Sequence, residues 1–453
     1  MPAAPADSVL FSGLLGDAET ARFFTDEASL AAMIRVEAAL AQVQGRLGTI
    51  PAASAEAIAA ACAEMRLSPA DLAAATAENG VPVPGLVAAM RKAMGQPDHA
   101  QYLHWGATSQ DVMDTALALR LREVLDLWET RLRGLIACLG VMAQAEAAQP
   151  MAARTYGQLA TPTSFGAVVA GWGWPLLDHL RDLGRVRRAV LCVSLSGAAG
   201  TLSAMGPQGA QIRAGLADAL ALHDRGHSWH SDRAGTAALA GWIAGLAASL
   251  GKMGEDLLLL TQSGLALVAI AGGGASSTMP QKQNPVAPSA LVALARHAIG
   301  LSAVLTGAGL HRQQRDGAAW FTEWLTLPQI CIDAGRMLQL AADATARLTP
   351  LPEAMRADLE ADGGVIHAEA LTFALTEAAG LPRPEAAAQV KDLCARAKAA
   401  RRPLLAEVAE AFPGHDWAAL VAARTLGEAP AEARAFSRAA RAFSRAAGVL
   451  EED

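Results

Sequence analysis

Residues 117–142, LALRLREVLDLWETRLRGLIACLGVM, carry an apolar stripe that predicts one long α-helix. The apolar side chains recur at alternating steps of three and four residues, which places them on one helical face. Thr108 or Ser109 can cap the start of this helix, Asp111 suits its first turn, and Pro150 ends the pattern. A helix of about thirty residues spans roughly 45 Å, a length typical of helical bundles. The stripe consists of Leu117, Leu121, Val124, Trp128, Leu132, Leu135, Leu139 and Met142.

The same periodicity recurs through the rest of the chain and sets the predicted fold class. No stretch alternates β-branched and polar residues between turn signals, so we expect almost no sheet. After about residue 362 the predicted helices become shorter and are separated by prolines. We predict an all-α chain with an N-terminal helical domain (1–111), a central long-helix bundle (112–361) and a small C-terminal helical domain (362–453). Besides the first helix, further helical stretches are expected over residues 27–47, 176–188, 236–261, 288–305 and 325–346.

Composition excludes several classes of protein. The 453 residues include 37 Lys+Arg and 44 Asp+Glu, giving a formal charge of -7. A nucleic-acid partner is not expected, because such proteins carry a dense basic surface. The five scattered cysteines fit a reducing compartment, and the first residues lack the basic segment of a signal peptide. We therefore expect a cytoplasmic protein.

One segment has the length of a membrane span. Residues 234–251, AGTAALAGWIAGLAASLG, contain no formal charge. The segment is built of Ala and Gly, however, and charged residues follow at Lys252, Glu255 and Asp256. A buried helix of a large bundle is the better interpretation, and no membrane partner is predicted.

Residues 272–285, GGGASSTMPQKQNP, form the stretch with the clearest chemical content. Glycines and hydroxyl residues between two helical segments predict a flexible loop with free backbone N–H groups. Such a loop, with Lys282 and Asn284, can surround a carboxylate while a hydroxyl approaches a neighbouring carbon. From composition alone, a mobile helix connection is an equal alternative.

This loop resembles the signature G-S-S-x-M-P-x-K-x-N-P of the fumarase/aspartase superfamily. Every specified position matches except Ala275, where the family usually has Gly. Residues 104–115 (HWGATSQDVMDT) and 154–166 (RTYGQLATPTSFG) are similar to the first and second signatures, in the expected order. Residues 33–40 and 366–379 are also similar, so the resemblance covers nearly the whole chain and implies the three-domain fold of that superfamily.

The departures from the family pattern favour one branch. Adenylosuccinate lyases carry a histidine where this chain has Tyr156, and a different segment where it has residues 315–324, RDGAAWFTEW. These features, with Trp229 and His230, are most similar to the bacterial 3-carboxy-cis,cis-muconate cycloisomerases. The alternatives are a fumarate-releasing lyase of the adenylosuccinate or argininosuccinate type and a non-catalytic structural member of the superfamily.

The resemblance implies roles for individual residues. Ser276 corresponds to the acid/base that acts on carbon, and His104 to a residue that binds substrate or moves a proton. A purely structural role for His104, and helix capping alone for Thr108 and Ser109, stay open. The resemblance also implies a small tricarboxylate substrate, no cofactor, and a homotetramer with active sites shared between subunits. The expected substrate-binding residues are Thr108, Ser109, Arg154, Thr155, Gln158, Ser277, Lys282, Asn284 and Arg315.

Two remaining patterns have less specific interpretations. His223, His227 and His230 lie near two aspartates at spacings that suit a metal. Gly226 interrupts any common helical face, and the resembled proteins are metal-free, so we predict no metal site. The tandem heptad over residues 433–446, ARAFSRA repeated, predicts a terminal helix with a basic face, and a partner-binding element is the alternative.

Overall fold

The computed structural model describes residues 4–275, 278–279 and 281–445. Within those residues the chain is predominantly helical, and its strands are short, as the sequence predicted. The helices are α1 (Ser12–Leu15), α2 (Ala18–Ala21), α3 (Asp26–Arg46), α4 (Ala52–Glu64), α5 (Pro69–Asn79), α6 (Val83–Met94), α7 (Pro97–Ala100), α8 (Ser109–Ala145), α9 (Phe165–Val190), α10 (Gly209–Leu220), α11 (Ala234–Leu260), α12 (Val286–Gly307), α13 (Gly317–Ala346), α14 (Pro352–Glu360), α15 (Ala368–Ala378), α16 (Arg383–Ala400), α17 (Leu404–Ala411), α18 (Trp417–Ala422) and α19 (Ala429–Arg445).

The strands form three separate antiparallel pairs. β1 (Pro150–Thr155) pairs with β2 (Gln158–Ser164), and β3 (Val268–Ile270) pairs with β6 (Leu348–Pro350). β4 (Gly274–Ala275) pairs with β5 (Gln283–Asn284). The β1–β2 and β4–β5 pairs contain parts of the second and third signatures, respectively.

The chain divides into two compact units. Unit 1 comprises residues 1–131, 179–248 and 293–338, and unit 2 comprises residues 132–178, 249–292 and 339–453. The boundaries fall inside the five long helices α8, α9, α11, α12 and α13, so each contributes residues to both units. The predicted three-domain division along the sequence is a different partition and stays a prediction.

The long helix predicted from the apolar stripe is confirmed as α8, with 37 residues. The stripe from Leu121 to Leu139 is buried, with Val124, Trp128 and Leu132 fully inaccessible. Its two ends, Leu117 and Met142, are half-buried. The predicted face is therefore the packed one.

Two other helices begin earlier than predicted, and each contains a proline. The expected start at residue 176 follows Pro175, but α9 begins at Phe165 and continues through that proline. The expected start at residue 325 precedes Pro328, which lies inside α13. Proline removes one backbone hydrogen bond, and burial of side chains along these helices offsets that cost.

In unit 1, α11 packs as a core helix. Leu239, Ile243 and Leu246 are fully buried. The Trp242 ring stacks on Trp128 of α8 with centroids 6.1 Å apart and planes inclined by 9°. Among the described residues, α11 and α12 are the helices long and apolar enough to cross a membrane, a criterion that core helices also meet. The predicted burial of residues 234–251 is observed at these positions.

In unit 2, the C-terminal heptads lie in α19 as far as residue 445. Phe436 from the first heptad is fully buried, and Ala440 from the second is 1% exposed. A Cβ built on Gly173 would lie 1.9 Å from Cζ of Phe436, and one on Gly140 would lie 2.7 Å from Cβ of Ala440. Because Gly173 of α9 and Gly140 of α8 have no side chains, α19 can pack closely against both helices. Arg434, Arg438 and Arg441 are exposed, which gives the basic face predicted for this helix.

The shorter C-terminal helices have their own hydrophobic cluster in unit 2. Leu371 and Leu375 of α15 contribute to it together with residues of α16, α17 and α18. All five cysteines of the chain are free thiols.

Candidate active site

The first signature lies in unit 1 and consists of a turn that leads into α8. His104 (φ 61°) and Gly106 (φ 74°) both have left-handed backbone conformations. A Cβ on Gly106 would approach Cγ of Met205 to 2.7 Å, so conformation and space both favour glycine there. α8 begins at Ser109, and the Asp111 carboxylate accepts the Thr108 N–H at 3.0 Å. Thr108 therefore occupies the capping position that the sequence predicted.

Asp111 connects this helix start to other parts of unit 1. Its carboxylate accepts the backbone N–H groups of Ser196 (2.8 Å) and Gly197 (3.0 Å). The His230 imidazole Nε2 lies 2.8 Å from Asp111 Oδ1, and both side chains are almost fully buried. These contacts fix the loop that follows α9 against the turn that carries His104 and Thr108.

Arg315 lies beside Thr108, so the structure brings together two predicted substrate-binding residues. Its Nε donates to Gln110 Oε1 at 2.7 Å, and its Nη2 donates to Thr108 Oγ1 at 3.4 Å. Gln110 is fully buried and donates in turn to the His230 carbonyl at 2.9 Å. The Nε and Nη2 groups of the Arg315 guanidinium are thus engaged by protein partners, and the side chain is partly exposed.

Gln110 contacts a buried network of ion pairs. Arg233 donates to Asp114 Oδ2 at 2.7 Å and to Glu323 Oε1 at 2.7 Å, and all three side chains are 2% exposed. Burial opposes the charged guanidinium, but the two carboxylates outweigh it and raise the pKa of Arg233. Burial raises the pKa of Glu323, although Arg233 acts in the opposite direction. Gln110 joins the network by donating to Asp114 at 3.2 Å.

His104 is paired with a carboxylate that the sequence reasoning did not identify. Its Nδ1 lies 2.6 Å from Oε1 of Glu37 on α3. Glu37 is fully buried, and the His104 side chain is 18% exposed. Burial opposes the charged imidazole, yet the hydrogen bond and charge of Glu37 raise the pKa of His104.

The second signature forms the β1–β2 hairpin of unit 2. Tyr156 (φ 52°) and Gly157 (φ 73°) are the two residues of its turn, and Thr155 pairs with Gln158. Two consecutive positive φ angles are typical of a tight two-residue hairpin turn. Tyr156 is fully exposed at the tip. Thr155 and Gln158 are exposed beside it.

Arg154, in the same hairpin, has an internal partner. Its Nη1 and Nη2 donate to the two Asp358 carboxylate oxygens at 2.9 and 2.6 Å. This is the bidentate geometry that a guanidinium also uses for a substrate carboxylate. A substrate would have to compete with Asp358 for this arginine.

The third signature lies in unit 2 around the β4–β5 hairpin. Asn284 pairs with Gly274 across the two strands, and Lys282 directly precedes β5 with its side chain exposed. The Lys282 N–H donates to the Met279 carbonyl at 3.0 Å. Ser276 and Ser277 lie outside the described residues.

The predicted site residues are thus distributed over both units. His104, Thr108, Ser109 and Arg315 belong to unit 1, where they lie around the start of α8. Arg154, Thr155, Gln158, Lys282 and Asn284 belong to unit 2. Their assignment to substrate stays a prediction.

Three of the five residues considered for a metal, His230, Asp224 and Asp232, have other partners. His230 is bonded to Asp111, Asp224 to Arg213 at 2.8 Å, and Asp232 to Arg225 at 3.4 Å. Across residues 4–275, 278–279 and 281–445, no group of three or more His, Cys, Asp or Glu side chains could hold a metal ion.

Comparison with known proteins gives consistent matches. The family model described as lyase matches residues 14–300. The 3-carboxy-cis,cis-muconate cycloisomerase of Pseudomonas aeruginosa is 37% identical over 406 residues, covering 88% of each chain. A nitrosuccinate lyase of Streptomyces davaonensis is 36% identical over 427 residues, covering 91% of this chain and 89% of the relative. The crystal structure of the 3-carboxy-cis,cis-muconate lactonizing enzyme from Pseudomonas putida superposes with a TM-score of 0.88 at 32% identity, covering 96% of this chain and all of that one.

Proposed function

The chain belongs to the lyase family of the fumarase/aspartase superfamily, and from that membership we propose that it is a 3-carboxy-cis,cis-muconate cycloisomerase. The observation that carries the proposal is the similarity to the Pseudomonas aeruginosa cycloisomerase over most of both chains. The product would be 4-carboxymuconolactone, an intermediate of aromatic catabolism through protocatechuate. The enzyme would act in the cytoplasm without a cofactor.

The proposed reaction is an intramolecular addition. One carboxylate of the substrate attacks the β-carbon of an unsaturated acid unit, and a proton is delivered to the α-carbon. Negative charge gathers on the carboxylate next to that carbon in an aci-carboxylate intermediate. Preorganised cations and N–H donors at this carboxylate are the main catalytic factor.

Each group of predicted residues has a role in this scheme. Lys282 and Asn284 would bind the carboxylate that becomes the aci-carboxylate, and Ser276 would deliver the proton to carbon. The other two carboxylates of the substrate need cationic and hydroxyl partners. These would come from His104, Thr108, Ser109, Arg154, Thr155, Gln158, Ser277 and Arg315.

Tyr156 supports a cyclisation over an elimination that needs a general acid. An elimination that expels a poor leaving group requires a general acid near neutral pH, and a phenol with an ordinary pKa of about 10 is poorly suited to that task. Lactonisation by a substrate carboxylate needs no acid for a leaving group. The replacement of the family histidine by Tyr156 is therefore compatible with the proposed reaction.

A β-elimination is the second candidate function. The nitrosuccinate lyase of Streptomyces davaonensis is nearly as similar to this chain as the cycloisomerases are. A good leaving group needs less acid assistance, so the absence of a histidine at position 156 does not oppose this reaction. A succinyl-type substrate would then release fumarate.

One experiment separates these functions. The purified chain is incubated with 3-carboxy-cis,cis-muconate, and loss of the conjugated-diene absorbance is followed. Parallel reactions with nitrosuccinate and adenylosuccinate are followed by the appearance of fumarate. Diene loss without fumarate release supports the cycloisomerase, whereas fumarate release alone supports a lyase. No turnover of any of the three substrates would favour the structural-member hypothesis.

A further inference from the structure

The pair formed by Glu37 and His104 has features that a simple packing role does not require. Glu37 lies on α3 and is separated from His104 by 67 positions in sequence. Its carboxylate is fully buried, and its second oxygen, Oε2, has no hydrogen-bond partner among the described residues. Burying a carboxylate is costly unless a cation compensates its charge. His104 is the cation-forming group in contact with it.

The orientation of the imidazole follows from this contact. Nδ1 of His104 is used by Glu37 at 2.6 Å, so Nε2 is the nitrogen left for another partner. The ring is 18% exposed, and its residue precedes Thr108 in the same turn. The left-handed backbone at His104 fixes the point from which the side chain departs.

We propose that Glu37 is a positioning residue that holds His104 as an imidazolium, with Nε2 available to a substrate carboxylate. The inference rests on the proposed function for the identity of the ligand, a small molecule with several carboxylates. It assigns His104 to charge recognition, so the ring keeps its proton while substrate binds. Glu37 acts through His104 and has no contact of its own with the ligand.

The charged groups around the pair come from several elements. Asp111 on α8 favours the imidazolium, whereas Arg91 on α6 opposes it. Arg91 is held by the backbone carbonyls of Ala100 (3.2 Å) and Leu103 (3.0 Å). Cys62 on α4 lies near Glu37, and burial together with the charge of Glu37 raises the pKa of its thiol to about 12. The thiol therefore stays neutral, and Glu37 is the group whose removal changes the charge balance at His104.

The first test measures the protonation of His104 without any substrate. Diethyl pyrocarbonate modifies only the neutral imidazole. Peptide mass spectrometry measures the rate of modification at His104 from about pH 5 to pH 9, and the rate at exposed His227 serves as the reference. In the wild type the midpoint should lie above the ordinary histidine value of about 6.5. In Glu37→Gln it should fall by one unit or more, which makes modification at about pH 6.5 up to tenfold faster.

A matched control is available in unit 1. His297 lies 2.7 Å from Asp333, another histidine–carboxylate pair. Asp333→Asn should leave the reactivity of His104 unchanged. Equal midpoints for His104 in the wild type and in Glu37→Gln would overturn the proposal. If Glu37→Gln does not fold, the wild type alone decides, because a midpoint at or below about 6.5 contradicts a held imidazolium.

The second test uses turnover of 3-carboxy-cis,cis-muconate. For Glu37→Gln, KM should rise up to about tenfold at a pH between the two midpoints found in the first test and approach the wild-type value at a pH below the variant's midpoint, with kcat little changed. A fall in kcat that is equal at both pH values would show a structural role and overturn the proposal. Because the chemical-modification test needs no substrate, it stands even if this substrate is not turned over.

Discussion

At the scale of single residues, Lys282 is the position where the type of charge matters most. The chain has five lysines among its 37 basic residues, yet it has lysine in the third signature. An ammonium is a compact charge that can approach one carboxylate oxygen, whereas a guanidinium spreads its charge over a plane. This difference suits an aci-carboxylate, on which negative charge accumulates during the reaction.

We expect Lys282→Ala to lower kcat/KM by about a hundredfold, with changes in both kcat and KM, because the cation binds substrate and stabilises the intermediate. Steady-state kinetics with 3-carboxy-cis,cis-muconate measure the effect. Lys391→Ala removes an exposed lysine on α16 and serves as the control. Activity of Lys282→Ala within about twofold of the wild type would contradict the assigned role.

Arg233 is the residue on which the buried ion network depends. Arg233→Met leaves Asp114 and Glu323 buried without their cation, and we expect a loss of about 3–5 kcal/mol in the free energy of unfolding. Urea unfolding at fixed protein concentration measures the loss. The loss should be smaller at acid pH, because burial raises the pKa of Glu323 and its protonation removes part of the uncompensated charge.

The control for Arg233 is Arg185→Met. Arg185 pairs with Asp182 at 2.8 Å on the surface, where exposed pairs contribute little. Equal urea midpoints for Arg233→Met and the wild type would show that the buried network is dispensable for stability.

Sequence reasoning located His104, Thr108 and Arg315 but missed the residues that hold them. Glu37 lies 67 positions from His104 in the sequence. Arg233 lies 119 positions from Asp114, and Gln110 lies 205 positions from Arg315. No local spacing indicates such pairs, because they form only when distant helices pack. The available signal was weaker: Gln110 and Asp114 belong to the first signature, and Glu323 to the segment RDGAAWFTEW.

At the scale of secondary-structure elements, hydrophobic periodicity was the reliable signal. It predicted α8 from a single stripe, and the stripe is buried from Leu121 to Leu139. It failed at Pro175, where local propensity argues for a break and helix α9 continues. Long-range packing decides such cases, and a single sequence does not contain that information.

The close contact between Gly173 of α9 and the Phe436 ring of α19 leads to a prediction about how these two helices pack. Gly173→Ala would place a Cβ 1.9 Å from Phe436, so α19 must shift. We expect a destabilisation of about 1–3 kcal/mol, typical of overpacking, measured as a lower urea midpoint. Gly173→Ala combined with Phe436→Leu should recover part of the loss.

The matched control for this contact lies in the same helix. A Cβ on Gly171 would meet no heavy atom within 4 Å, so Gly171→Ala should be neutral or stabilising by up to about 1 kcal/mol. Similar destabilisation by both substitutions would mean that helix α9 as a whole, and not the contact with Phe436, is sensitive to added volume.

At the scale of the whole molecule, α12 carries apolar side chains that the described residues leave exposed. Its most apolar 18-residue window is only 39% buried. Val286, Ile299 and Val304 are 39%, 42% and 48% exposed. Exposed apolar side chains on a helix this long are typical of a protein interface. A second copy of the chain is the partner that the superfamily resemblance implies.

We therefore expect a homotetramer of about 187 kDa, four times the 46.7 kDa chain, by size-exclusion chromatography with light scattering. Val304→Asp introduces a charge into the apolar surface of α12 and should produce smaller species. If each active site is completed by neighbouring subunits, turnover should fall in proportion to the loss of tetramer and recover as protein concentration rises. Lys391→Asp changes an exposed charge on α16 and should leave mass and turnover unchanged. A monomeric wild type with full turnover would show that one chain holds a complete site, and the shared-site model would then be wrong.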